Sequence, residues 1–149
     1  ADVNATGLDN YSTLMFAVNE ENPDLVKLLL DKGADPNLQD VLGKTPLIMA
    51  SVLRSDNPVF KTNMLNIVKM LLDKGVDVNK QNSSGNTALM LAAYDGWTEM
   101  VKLLLDKGAD KTIKNGRNKT ALDWAVEGNA ERMAEGEPDS PEVITLLSL

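Results

Sequence analysis

The chain has no cysteine and no histidine among its 149 residues, and only two each of Trp, Tyr and Phe. Without cysteine there is no disulfide, no thiolate metal site and no thiol nucleophile. Without histidine there is no Ser-His-Asp or Cys-His catalysis and no His-ligated zinc, and the commonest general base near neutral pH is missing. The scarcity of aromatics leaves a core to be built from aliphatic side chains and alanine. Long apolar runs are also lacking. The longest, LIMASVL at 47–53, is far short of the roughly 18–20 residues that cross a bilayer. Basic charge is in deficit, with 15 Lys and Arg against 22 acids and a net charge of −7. That balance argues against nucleic acid, whose binding needs a basic face to displace counterions. No signal peptide is visible. The chain opens on Ala1, which reads as either a trimmed start or a mature terminus after signal cleavage.

What is present is a repeat. LLLDKG at 28–33 returns as MLLDKG at 70–75 and LLLDKG at 103–108, at separations of 42 and 33. STLMFA at 12–17, TPLIMA at 45–50, TALMLA at 87–92 and TALDWA at 120–125 run in step with it. A third motif, ADVN, ADPN, VDVN and ADKT, begins at Ala1, Ala34, Val76 and Ala109. A fixed period of this length is the mark of stacked supersecondary units. Four units of 33 residues result, over 1–33, 34–75, 76–108 and 109–149. The second carries nine extra residues and the fourth about ten. The whole chain is one domain.

Each unit reads as two helices and an extended turn. Thr45 suits a helix N-cap and Pro46 the first helical position. The second helices start after Asn22-Pro23, Trp97-Thr98 and Ser140-Pro141, and end at Gly33, Gly75 and Gly108, where the backbone must turn left-handed. In LVKLLL the residues Leu25, Leu28 and Leu29 share one face by three-and-four spacing. A two-helix unit cannot bury that face alone, so neighbours must stack.

The 33-residue period, with G-x-T-P-L-x-x-A followed by V-x-L-L-L-x-x-G-A-D-x-N, resembles the ankyrin repeat over the whole chain. The resemblance implies an all-α repeat solenoid of four helix-turn-helix units with inserts in repeats two and four. It departs from the family where Met15, Ile48, Met90 and Asp123 replace the usual histidine of T-P-L-H. Glu21-Asn22 and Gly96-Trp97 likewise replace the later G-H pair. That histidine ties adjacent turns in the family, so other side chains must do so here.

No catalytic chemistry emerges. GKT at 43–45 lacks the glycine five positions earlier that a phosphate loop needs, position 38 being Leu38. Asp31/Asp35, Asp73/Asp77 and Asp106/Asp110 straddle helix-ending glycines without a calcium-loop pattern. The expectation is no catalytic residue, no metal and no cofactor. The sequons at Asn4, Asn10, Asn82 and Asn118 bear only on a eukaryotic secretory route.

Binding is therefore the expected function, as the resemblance implies. The family's contact slots fall on Leu8, Asp9 and Tyr11, on Val41, Leu42 and Lys44, on Ser83, Ser84 and Asn86, and on Gly116, Arg117 and Lys119. At the ends of the first helices they fall on Asn19/Glu20, Val52/Leu53, Tyr94/Asp95 and Glu127/Gly128. Those slots are usually polar, so Val41, Leu42, Val52 and Leu53, with Tyr11 and Tyr94, mark repeat two as the centre of an interaction site. The alternative is that the repeat-two insert folds back over Val52 and Leu53. Trp97 belongs to packing or to contact. Phe60, in the first insert, joins the candidate surface. Trp124 takes the slot of Phe16, Met49 and Leu91 and is assigned to the core.

The inserts, 54–63 and 128–141, occupy the same connection two repeats apart and are expected to project from one edge about 20 Å from each other, at about 10 Å per helix layer. From Asp123 to Glu142 seven acids face one Arg132, a net −6. That stretch is either a solvated loop or an electrostatic hook for a basic partner. The resemblance extends to small bacterial ankyrin proteins that protect their producer by capping its secreted enzymes, such as peptidoglycan endopeptidases. The specific expectation is a periplasmic inhibitor or immunity protein. It would be a monomer that binds an enzyme with a basic patch and neither nucleic acid nor membrane. The alternative is a cytosolic adaptor or host-directed effector domain.

Overall fold

A computed structural model describes residues 2–149. Four helix pairs follow a short 3-10 turn at Leu8–Asn10: α1 (Thr13–Asn19) with α2 (Pro23–Asp31), α3 (Pro46–Ala50) with α4 (Pro58–Asp73), α5 (Ala88–Tyr94) with α6 (Thr98–Asp106), and α7 (Ala121–Ala134) with α8 (Glu142–Ser148). The first helices stack in the order α1, α3, α5, α7, while α2 packs on α4 and α6 on α8. This is the all-α solenoid that the period implies. One continuous core runs through it, from Leu14 and Val26 past Met64, Leu71 and Met100 to Val143 and Leu147.

The helix starts follow their caps. The hydroxyls of Ser12, Thr45, Thr87 and Thr120 accept the N–H groups three residues on, at 3.2–3.3 Å. Each satisfies one of the donors that a helix start leaves open. Ahead of Pro23 and Pro58 the side-chain carbonyls of Asn22 and Asn57 cap in their place, accepting the Leu25 and Val59 N–H groups.

In place of the family histidine, asparagine and glutamine tie the turns together. The Asp35, Asp77 and Asp110 N–H groups donate to Asn4, Asn37 and Asn79 of the preceding repeat, at 2.6–3.0 Å. Gln39 Nε2 donates to the Gly43 carbonyl of its own turn and the Gln81 carbonyl of the next, and Gln81 repeats this with Gly85 and Lys114. The turn tips join directly as well. Val41, Ser83 and Gly116 N–H donate to the carbonyls of Asp9, Leu42 and Ser84 at 2.9–3.0 Å. Met15, Ile48 and Met90, in the histidine slots, are buried in the core instead.

The inserts differ from the expectation of projecting loops. Asn57-Pro58 starts α4 inside the first insert, so that 58–63 extends the second helix. In the fourth repeat α7 continues through the first half of the insert to Ala134. The helix-favouring run AERMA allows this, and Gly128 makes room. A Cβ there would sit 2.8 Å from the Tyr94 carbonyl carbon and 3.0 Å from its Cα, closer than packed atoms come. The long α7 therefore lies directly on α5. Gly128→Ala should lower unfolding free energy by about 2–3 kcal/mol through this clash. Gly136→Ala, at φ 94° with open space around it, should cost only about 1 kcal/mol of backbone strain. Urea denaturation of the two variants checks the difference.

Candidate protein-binding surface

The turn tips of repeats one and two are apolar and open. Leu8 is 92% exposed, with Val41 and Leu42 more than half exposed on the adjacent tip. Their backbones are fixed, because the Val41 N–H donates to Asp9 and the Leu42 carbonyl accepts Ser83. Asp40 holds the second tip closed by accepting the N–H groups of Leu42 and Lys44 at 2.9 and 2.8 Å. Half-buried Tyr11 sits at the base, its phenol pushed up by burial and by the Asp40 charge. Lys44 is half-buried and reaches Asp40 at 4.0 Å. The tips of repeats three and four are polar: Ser84 is exposed, and Arg117 is exposed and pairs with Glu127 at 3.5 Å.

Three candidate residues lie inside the fold. Asn86 is buried and accepts from Asn115 Nδ2 at 2.7 Å, a link between turns three and four. Phe60 and Trp97 are 3% and 1% exposed and stack on each other, with ring centroids 6.1 Å apart. The α4 extension turns Phe60 inward, where it covers Trp97, so Trp97 resolves to packing. Val52 and Leu53 remain half-buried. The insert does not fold back over them as a loop.

The structure adds a row that the sequence reading assigned to the core. Phe16, Met49, Leu91 and Trp124 line the outward side of the stacked first helices. Phe16 is 50% exposed and the other three are half-buried. Helical spacing carries the signal for this. Leu14, Ala17 and Val18 share the buried face, and residue 16 points about 200° away from residue 14, at 100° per residue. Met49 and Leu91 line a pocket of about 230 Å³ with Val18, Ile48 and Val52. Trp124 ends the row, edge-on to Tyr94 at 5.2 Å.

Tyr94 and Asp95 anchor the opposite edge. The Tyr94 hydroxyl donates to Glu131, which pushes its pKa up, and its carbonyl accepts Arg132. Asp95 Oδ2 accepts the Leu53 N–H at 2.8 Å, tying repeat two to repeat three. Asn129 accepts the Ser140 N–H and donates to Asp139. The acidic stretch is thus partly pinned, and both inserts line one cleft of about 450 Å³ instead of standing apart. The α7 extension causes this by carrying the second insert back across repeat three.

An ordered stack of helix pairs with open turn tips is the architecture of ankyrin-repeat proteins, and the chain belongs to that family. Residues 57–135 match the model for ankyrin repeats (3 copies) and residues 1–50 the model for ankyrin repeats (many copies). A stretch of 57 residues is 46% identical to the Arabidopsis thaliana "Regulatory protein NPR6" and 44% identical to the Lotus japonicus "BTB/POZ domain and ankyrin repeat-containing protein NBCL". Each match covers 38% of this chain and 12% of the relative. The repeats are a protein–protein interaction module.

Burial pushes the Asp95 carboxyl up, against the opposing effects of the Leu53 N–H and Arg132. Its folded state therefore holds the proton more tightly than the unfolded chain does. Ionised Asp95 costs stability above its raised pKa, and the cost vanishes as pH falls towards the ordinary carboxylate range. Asp95→Asn keeps an acceptor for Leu53 without the charge. Its urea midpoint should equal or exceed the wild type at pH 7, and the two should converge on acidification.

Proposed function

We propose that the chain binds another protein across the first-helix face and the turn tips of repeats one and two, without catalysing a reaction. The row of Phe16, Met49 and Leu91 beside Val41 and Leu42 supports this reading. An apolar strip left in water costs about 25 cal/mol per Å², recovered when a partner covers it. The absence of histidine and cysteine supports the non-catalytic part. The finer reading is a monomeric inhibitor or immunity protein that caps an enzyme, such as a bacterial peptidoglycan endopeptidase, by occlusion. The acidic charge supports a partner with a basic patch. The relatives favour a second reading, an adaptor or regulatory domain. One is named a regulatory protein and the other a BTB/POZ and ankyrin protein, and in both the match is a small part of a longer chain.

The test is comparative affinity purification from cell extract with the wild type and the Leu42→Asp/Met49→Asp double variant. A true partner should be retained by the first and lost by the second, with Kd weakened by about 3 kcal/mol, roughly a hundredfold. Far-UV helicity should persist. Equal recovery by both would remove this surface from the function. Titration of the recovered partner then separates the finer readings. A capping inhibitor abolishes its activity at a fixed stoichiometry and releases it intact, whereas an adaptor leaves that activity unchanged.

A further inference from the structure

The cleft between the inserts carries five acids and three cations. The cations are already engaged. Arg54 donates to Asn19 at 3.1 Å and lies over the Phe60 ring, Lys61 stands 3.2 Å from Asp56, and Arg132 donates to the Tyr94 carbonyl. Two of the acids are engaged as well, Asp56 by Lys61 and Glu131 by the Tyr94 hydroxyl. The remaining three, Asp95, Glu135 and Glu137, outnumber the one cation whose charge is left to them, Arg132, which acts on Asp95. Asp95 has one oxygen on the Leu53 N–H and the other without a partner among the described residues, and Glu135 and Glu137 have none there at all. The cleft is short of positive charge.

The apolar pocket of the first-helix face adjoins it. Val52 and Arg54 line that pocket, and Leu53 and Arg54 line the cleft, so the segment 52–54 is a wall common to both. The Leu53 N–H on Asp95 holds that wall in place. Arg54 borders both recesses, so side chains that fill them stand within roughly 10 Å of each other, two or three residues apart on an extended peptide.

We infer that this pair of recesses recognises a partner segment carrying a large apolar residue and, two or three positions away, an arginine or lysine. The apolar side chain fills the space between Met49, Val52 and Leu91. The cationic group enters the cleft against Asp95, Glu135 and Glu137. Apolar burial supplies most of the affinity, and the charge sets the direction in which the segment lies and speeds encounter. Asp95, Glu135 and Glu137 repel a segment with a carboxylate in that position. The inference rests on the reading of the first-helix face as a protein-binding surface and adds the chemistry of what lies there.

The test selects phage-displayed random linear peptides on the full chain, then titrates synthetic fluorescein-labelled winners by anisotropy. The winners should pair an aliphatic or aromatic residue with Arg or Lys at that spacing. Asp95→Asn/Glu135→Gln/Glu137→Gln should raise their Kd about tenfold, as the loss of a few solvent-screened charge pairs does. High salt should erase the difference, and the urea midpoint should not drop. Replacing the peptide's own basic residue with glutamine should give the same loss without touching the protein. Winners that Met49→Asp abolishes but neither charge change affects would overturn the inference and leave the first-helix surface standing. Winners indifferent to Met49→Asp as well would overturn both. A selection that enriches no binding peptide also overturns the inference.

Discussion

The structure depends on how closely one turn's backbone approaches the next. Gly43 and Gly85, at φ 71° and 80°, each leave a gap that a Cβ would close. It would stand 2.8 Å from the amide nitrogen of Ser83 or Gly116, the same groups that donate to Leu42 and Ser84. Where that approach is made, Asn37, Asn79, Gln39 and Gln81 span the gap and fix the spacing between repeats. The spacing in turn brings Leu14, Leu47 and Leu89 into one core and lines up Phe16, Met49 and Leu91 on the opposite side. The exposed strip follows from the register of the turns.

The repeat was legible because three motifs recur in step, and each has a local cause: a hydroxyl cap, an apolar helix face and a glycine stop, although in the second helix of repeat one Val26 and Leu30 are the buried pair and Leu28 stays exposed. The fold and the order of the helices follow from those alone. Asn86, Phe60 and Trp97 were misplaced or left open because their surroundings come from elsewhere in the chain. Asn86 is bound by Asn115 from the next turn, and Trp97 is covered by Phe60 from an insert that has no counterpart in the other repeats. The Phe16 slot was readable and misread. Four bulky apolar residues in one slot resemble a core position, but their angle to Leu14 and Ala17 places them on the far side of a short helix.

The inserts show how a repeat protein acquires an individual surface at low structural cost. Each extends a helix already present, one at its start and one at its end. The extensions build on the stack without interrupting it: Phe60 covers Trp97, and Arg132 caps the carbonyl of Tyr94. A connection that elsewhere is a tight turn becomes two walls. The polar recess between them belongs to this chain and to none of the features that define its family.

The asparagine and glutamine contacts also give the stack a direction. Repeats two and three both receive a contact from the preceding unit and offer one to the next. Repeat four receives through Asp110 but carries Thr112 and Lys114 where Asn79 and Gln81 stand one repeat earlier, and Thr112 bonds back to its own Asp110. A new seam is consequently better matched at one place than at another. A tandem duplication of 76–108 inserts a unit with both a donor and an acceptor side, and the seam closes. A duplication of 109–149 places a threonine and a lysine at the junction, where the asparagine and glutamine contacts are missing.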